Sequence, residues 1–370
     1  MTEADAPHGG VQDGPAPDEP PRASSHAPLT RRPRAAVTMH EVAARARVSI
    51  KTVSNVINGY PHIRPATKER VEKAIQDLGY KVNASARNLR RGRAGVIGLA
   101  LPELALPYFA ELADEVMKAA ERHGVSVLIE HTGAQRSREF DVLRSDRRSL
   151  TDGLLFSPLE MAQDDVGALT VDYPLVLLGE RIFGGPVDHV TMANVEGARA
   201  ATAHLIERGA RRIAVVGAHE GEVVGSAALR LNGYRQALKE AGIPMRPELV
   251  REAGLWHRST GADATRQLLD DGVEFDAVFG LNDALALGAL HELHQRHVDV
   301  PGRVKVIGFD DIEDAAFSAP TLSTISPGKQ QIARTAVDFL MERIGTPELL
   351  LGPRYVEAAF FVVARESTGG

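Results

Sequence analysis

The chain has no cysteine among its 370 residues, which excludes a disulfide framework and any thiolate metal site. No uninterrupted apolar run approaches the ~20 residues that a membrane-crossing helix needs. The first residues, "MTEADAPHGGVQDGPAPDEPPRASSHAP", are acidic and rich in proline and glycine, without the apolar core of a secretion signal. Residues 1–35 therefore read as a disordered tail, and the protein is expected in the cytoplasm, with no membrane partner. Also missing are a GxGxxG loop, a phosphate-binding P-loop and a nucleophile elbow. No catalytic residue, cofactor or resident metal is expected. "HELHQRH" places His291, His294 and His297 near one another, but HExxH would need histidine where Gln295 stands, so a solvated helix face is the better reading.

What the chain does have is ordinary globular composition, 44% hydrophobic and 25% charged, and enough length for two or three domains. Its net charge of −6 is unevenly spread. Arg31 to Arg93 carry fifteen Lys/Arg against four Asp/Glu, so a basic module is joined to an acidic body. That is the electrostatic footprint of a polyanion binder.

Within the basic module, "VTMHEVAARARVSIKTVSNVING" (37–59) holds two short apolar-periodic segments. Thr38 and Glu41 fit a capping box, and Val42, Ala43 and Ala46 line one helical face. Ser49 suits a second N-cap, and Val53, Val56 and Ile57 recur at helical spacing as a buried stripe. Lys51 and Asn55 fall on a different face, while Thr52 and Ser54 are short hydroxyl side chains suited to phosphate oxygens. Two such helices, one bracing and one able to enter a major groove, make a helix-turn-helix. "ATKERVEKAIQDLGY" supplies a third helix, with Thr67 as its expected cap, Val71, Ile75 and Leu78 as its stripe, and Gly79 as its stop. "KVNASARNLRRGRAG" follows, short, basic and alanine-rich, either a linker or a segment that becomes helical only on DNA.

In residue type and spacing this region resembles the DNA-binding headpiece and hinge of the lactose repressor (LacI) family, and the likeness continues to the C-terminal "VVARES". The resemblance implies that Ile50, Lys51 and Asn55 read bases. Thr38, Ser49, Thr52, Ser54 and Asn83 complete the expected DNA contacts. It implies also that Ala86 sits at the minor groove and that Leu89 wedges between central base pairs. Arg47 stands where the family's turn usually has glycine; a positive φ there would strain an arginine.

From Gly95 onward, apolar strands ("GVIGLAL", "VSVLIE", "GLLFSP", "LVLLGE", "RIAVVG", "DAVFGL", "VKVIGFD") alternate with amphipathic helices. That pattern argues for parallel sheets covered on both faces. About 270 residues of it exceed one comfortable core, so two α/β lobes are expected. Ligands in such folds bind beyond the C-terminal strand ends. Arg230, Trp256, Asn282, Asp283 and Asp310 lie in such places, a mix of planar polar groups and an aromatic face suited to a sugar ring. The other acids of "FDDIED" read as helix caps. By the family resemblance Arg230, Trp256, Asn282 and Asp310 fall at effector contacts. Tyr108 and Phe109 approach from the other lobe, and Glu180 and Asn194 are weaker candidates. Leu106-Pro107 replaces the family's usual Asn-Pro, which removes one polar contact.

The fold class expected is thus α/β, an all-α helix-turn-helix headpiece followed by a two-lobed periplasmic-binding-protein-like effector domain of parallel sheets. The expected boundaries are a helix-turn-helix over 36–81, a hinge over 82–93 and an effector-binding, dimerising domain over 94–368. The function expected is that of a sequence-specific transcriptional regulator, a homodimer on near-palindromic double-stranded operator DNA, controlled by a sugar or sugar-like effector. No heptad follows "VVARESTGG", so a coiled-coil tetramer is not expected. A transport solute-binding protein would share the lobes but not the basic headpiece, and a Rossmann-type enzyme would need a phosphate loop.

Overall fold

The computed structural model describes residues 37–57, 60–80, 93–144, 150–346 and 352–370. The expected tail and the hinge positions Asn83, Ala86 and Leu89 lie outside them. The chain divides into two compact units, Met1–Val82 and Asn83–Gly370.

In the first unit, α1 spans Met39–Ala46, α2 Ile50–Ile57 and α3 Pro65–Leu78. The capping box is present: the Thr38 amide donates to Glu41 Oε2 at 2.6 Å and the Glu41 amide to Thr38 Oγ1 at 3.4 Å. Ser49 caps α2 by accepting from the Thr52 amide at 3.1 Å. The third helix does not begin on Thr67. It starts two residues earlier, because Pro65 has the fixed φ and missing N–H that suit a first helical position. Val42, Ala43, Ala46, Val53, Val71 and Ala74 are buried, with Val56, Ile57, Ile75 and Leu78 packed around them. Helices of eight residues are not stable alone; each here buries its stripe on the other two.

Arg47 ends α1 with φ 53° and ψ 50°. The left-handed turn that the sequence raised as a condition is therefore present, and an arginine occupies it. A side chain in this region costs roughly 1–2 kcal/mol through the Cβ–carbonyl clash.

The second unit is built as two lobes. Lobe 1 contains β1 (Val96–Leu101), α4 (Pro107–Arg122), β2 (Ser126–His131), α5 (Arg136–Arg144), β3 (Leu154–Phe156), β4 (Leu175–Leu178) and β5 (Asp188–Met192). Lobe 2 follows with α6 (Asn194–Glu207), β6 (Ile213–Ala218), α7 (Ser226–Glu240), β7 (Val250–Glu252) and α8 (Arg258–Asp270). It continues with β8 (Ala277–Gly280), α9 (Asp283–Gln295), β9 (Lys305–Ile307), α10 (Glu313–Phe317) and β10 (Thr324–Ser326). The chain then returns to lobe 1 for α11 (Lys329–Gly345) and β11 (Tyr355–Ala358), and crosses again for β12 (Phe361–Val363). Lobe 1 carries a parallel sheet in the order β11-β5-β4-β3-β1-β2 and lobe 2 one in the order β7-β6-β8-β9; β10 and β12 pair antiparallel.

The strands are apolar throughout because both sheet faces are covered. Leu99, Leu155, Val176 and Leu178 point into one core, and their alternates Ala100, Leu154, Phe156, Leu175 and Leu177 into a second. In lobe 2, helix pairs approach closely through glycine. A Cβ on Gly233 of α7 would lie 2.2 Å from the Val195 carbonyl of α6, and one on Gly288 of α9 2.0 Å from the Arg258 carbonyl of α8.

The returning C-terminal segment is held to lobe 1 by one carboxylate. Asp188, fully buried, accepts from Arg343 at 2.8 and 3.0 Å and from Arg354 at 2.7 Å, with a further bond from the Arg354 amide at 2.9 Å. Burial alone would raise its pKa, but the bonds from Arg343 and Arg354 outweigh that and bring it to about 2.

Two outcomes follow for stability. Asp188→Asn should lower the unfolding free energy by about 3 kcal/mol at neutral pH, since the partner arginines stay half-buried without their anion. An acid with a lowered folded-state pKa contributes above its unfolded value, near ~3.9, and loses that contribution toward pH 2. The gap between wild type and variant in urea melts should therefore close as pH falls from ~4 to 2. In the headpiece, Arg47→Gly should raise the melting free energy by roughly 0.5–1 kcal/mol, the relieved strain exceeding glycine's extra unfolded-state entropy. A lower melting point in the glycine variant would show that Arg47 makes a compensating contact.

Candidate DNA-reading face and effector cleft

On the headpiece, the second helix turns Val53 fully inward and leaves Ile50 and Lys51 exposed, with Thr52, Ser54 and Asn55 half-buried. Ser49 and Thr52 share a hydroxyl–hydroxyl bond of 2.9 Å. Arg45 of α1 pairs with Asp77 of α3 at 3.0 Å, an exposed contact worth little in stability. The N-terminal turn of α2 therefore offers a cation and hydroxyls, with the half-buried Asn55 amide one turn further on. That is the chemistry that meets base edges and phosphates.

In the second unit, the C-terminal ends of both sheets face one cleft, a cavity of about 210 Å³. All six predicted effector residues line it: Tyr108, Phe109, Arg230, Trp256, Asn282 and Asp310. Each is placed by a simple local device. Pro107 starts α4 and presents Tyr108 and Phe109, whose rings meet edge to face at 5.2 Å. Trp256, between β7 and α8, is fixed by donating its indole N–H to the Gly217 carbonyl at 3.0 Å. Asn282 caps α9, accepting from the Leu285 amide at 2.8 Å.

Arg230, on the second turn of α7 and only 3% exposed, is the centre of the cleft floor. Its Nε donates to Asn194 Oδ1 at 2.8 Å, Nη1 to the Leu281 carbonyl and Nη2 to Met192 Sδ at 3.1 Å. Its guanidinium lies 3.8 Å from the centre of the Phe309 ring, and Asp310 is 3.6 Å from Nη1. Burial raises the Asp310 carboxyl to about 6, with Arg230 and Lys329 opposing the rise. Burial likewise raises the Tyr108 phenol above its usual range. Asp310 has φ 119° and Asp311 φ 48°, a strained pair of residues. Lys329 steadies them, donating 2.7 Å bonds to both carbonyls and pairing with Glu111 of α4 at 2.5 Å.

Three expectations need correction. Asn194 does not line the cleft; it stands behind Arg230 and holds its Nε. Asp283 also lies outside the cleft lining, fully buried, taking bonds from Thr324 Oγ1 at 2.5 Å and the Ile312 amide at 2.9 Å. Asp311 and Asp314 are not helix caps; they pair with Arg365 and Arg258. His294 and His297 line a separate pocket. Among the described residues no group of three or more His, Cys, Asp or Glu could hold a metal ion.

The cleft also contains residues that the sequence reading did not single out. Arg181 of lobe 1 pairs with Glu222 of lobe 2 at 3.3 Å and donates to the Val224 carbonyl at 3.2 Å. Ser226 donates to Glu180, and His257 meets Glu103 at 3.2 Å, so three polar links join the lobes across the cleft mouth. His219 bonds Glu222 at 3.0 Å, which raises its pKa against the opposing effect of burial. The one available signal was "GSAALR": Ser226 lies four residues before Arg230 and hence on the same face of α7.

Residues 38–83 match the model for bacterial regulatory proteins of the lacI family, and residues 202–368 that for a periplasmic binding protein-like domain. The ribose operon repressor of Escherichia coli K12 is 34% identical over 314 residues, covering 84% of this chain and 94% of its own. A solved regulator of the LacI family from Sanguibacter keddieii is 51% identical, with TM-score 0.71 over 75% of this chain and all of that one. The transcriptional regulator CelR in complex with cellobiose is 30% identical, with TM-score 0.66 over 90% of this chain and 99% of that one. Among the described residues no helix is long and apolar enough to cross a membrane. The chain belongs to the LacI family of bacterial regulatory proteins and is a DNA-binding transcriptional repressor.

Proposed function

We propose that this repressor works in the cytoplasm as a homodimer on a near-palindromic operator and is controlled by a carbohydrate-like effector bound between its lobes. Its domains are the tail 1–35, the headpiece 36–81, the hinge 82–93 and the effector domain 94–368. Ile50, Lys51 and Asn55 read base edges; Thr38, Ser49, Thr52, Ser54 and Asn83 contact the backbone or position it. Ala86 and Leu89 enter the minor groove, and Tyr108, Phe109, Arg230, Trp256, Asn282 and Asp310 hold the effector. The observation that carries the reading is the convergence of those six side chains on one cleft. Its make-up supports a sugar: an indole and two further aromatic rings for the C–H face, and carboxylate, amide and guanidinium groups for hydroxyls. The solved relative with cellobiose and the relative named for the ribose operon point the same way. No catalytic role is part of the proposal.

For the headpiece, Lys51→Ala and Asn55→Ala should each weaken operator binding by about 1–3 kcal/mol and relax base preference in gel-shift titrations. Equal loss on random DNA would reassign both to phosphate contact. For the cleft, Asp310→Asn should remove the thermal shift given by a bound sugar while leaving operator binding without it intact. Hydroxyls bond an ionised carboxylate more strongly than a neutral one, and Asp310 protonates near pH 6. Sugar affinity should thus fall, by roughly tenfold per pH unit at most, as pH drops below ~6. Calorimetry giving a flat profile from pH 7.5 to 5 would exclude Asp310 as a charged acceptor for the ligand.

A further inference from the structure

Lys329, the first residue of α11, lies outside the cleft lining yet is bonded to both lobes. Its ammonium donates at 2.7 Å to each of the Asp310 and Asp311 carbonyls, on the lobe 2 turn that presents Asp310. Its third bond goes to Glu111 Oε2 of α4, in lobe 1. The other Glu111 oxygen accepts from the Glu313 amide at 2.8 Å, where α10 of lobe 2 begins. All three ammonium protons are therefore placed. The Lys329 side chain is only 13% exposed, so solvent screens this pair less than a surface one. Two charged side chains of lobe 1 thus clasp residues 310–313 of lobe 2 from outside the cleft. Glu111 also follows closely on Tyr108 and Phe109, which line the cleft from the start of α4. A ligand that touches Asp310 and either ring acts on the two parts that the clasp joins.

The far end of α11 holds something else. The helix has 17 residues, a length of about 25 Å. Its buried stripe of Ile332, Ala333, Ala336, Val337, Leu340 and Ile344 packs it into the core, and close packing leaves its two ends little freedom to move separately. At that end the Ile344 carbonyl accepts from Arg93 Nη2, where the described residues of the second unit begin. Asp152, just before β3, takes the Ala94 and Gly95 amides at 2.6 and 2.7 Å. Among the described residues, the hydrogen bonds of Arg93, Ala94 and Gly95 go to lobe 1 alone.

Resting on effector control through the cleft, but not on the effector being a sugar, we infer that the Lys329–Glu111 clasp is a coupling device of this repressor. It makes lobe 1, and with it the Arg93–Ile344 anchor beside the hinge, follow the Asp310 turn. Lys329 is a positioning residue: it acts through the turn and through α11, without touching ligand or DNA. A protein lacking the clasp would still bind ligand, but the ligand's hold on the turn would no longer be passed to lobe 1. Coupling between two binding sites is reciprocal, so operator binding must be felt in the cleft through the same residues.

The chain's single tryptophan, Trp256, lines the cleft, so its emission reads the cleft without a label. The test titrates the full chain with an operator duplex selected from random DNA and reads Trp256 emission at saturation, where differences in affinity drop out. Wild type should show a change that a random duplex of equal length does not give. Lys329→Met should still bind operator in gel shifts and lose most of that change, and Lys329→Arg, which keeps the cation, should recover much of it. Arg93→Met, at the far anchor, should lose it too. Glu111→Gln should lose part of it, and decides the matter if Lys329→Met does not fold. A purely structural Lys329 would lower the melting temperature on substitution and leave the change per bound operator intact. A folded Lys329→Met protein with the full wild-type change overturns the inference and leaves effector control standing. If wild type itself gives no change, the cleft is not coupled to the operator site, and effector control from this cleft falls together with the inference.

Discussion

A guanidinium held almost wholly out of water is the constraint around which the second unit is arranged. Arg230 reaches the seam between the lobes, and a buried cation is tolerated only when its donors are satisfied and its charge is balanced. Its partners come from five places in the chain: Met192 at the end of β5, Asn194 at the start of α6, the Leu281 carbonyl after β8, the Phe309 ring, and Asp310. Satisfying Arg230 therefore fixes the crossover at Ala193 and the C-terminal ends of β8 and β9 relative to α7. The cleft exists where it does because those same strand ends must converge on one side chain.

The strain at Asp310 belongs to the same arrangement. An aspartate at φ 119° is held there only by surrounding structure, and the bonds that hold it are the Lys329 ammonium on two carbonyls and the Asp310 amide on the Ile325 carbonyl. Lys329 opens α11 just after the second crossover and pairs with Glu111 of α4. The turn that presents a carboxylate to the cleft is thus tied to a helix of the opposite lobe by a residue that does not itself line the cleft.

How much of this was legible in the sequence depends on how local each cause is. The headpiece helices were readable because their caps and stripes are local: Thr38 with Glu41, Ser49 with Thr52, Gly79 after Leu78. Thr67 misled because a threonine resembles a cap, whereas Pro65 two residues earlier is equally able to begin a helix. Strands such as β1 and β4 announced themselves as unbroken apolar runs. β5 did not, since "DHVTM" opens on an aspartate that is buried only because Arg343 and Arg354 arrive more than 150 residues later. The cleft followed the same rule. Its single polar residues at strand ends could be named, but the roles of Asn194 and Asp283 behind the wall depend on neighbours that only the fold supplies.

The links across the cleft mouth limit what a ligand can accomplish there. Arg181 with Glu222, Ser226 with Glu180, and His257 with Glu103 already join the lobes without any ligand. A ligand can shift an equilibrium between lobe arrangements only by the difference in its affinity for them. Contacts to one lobe alone contribute nothing to that difference, however tight they are. Binding that touches Arg230 and Asp310 on lobe 2 and Tyr108 or Phe109 on lobe 1 does contribute, because those groups lie within reach of one molecule only when the lobes stand as they do here. The preformed links favour the arrangement described here before any ligand arrives, so they reduce the differential affinity that a ligand favouring it must supply.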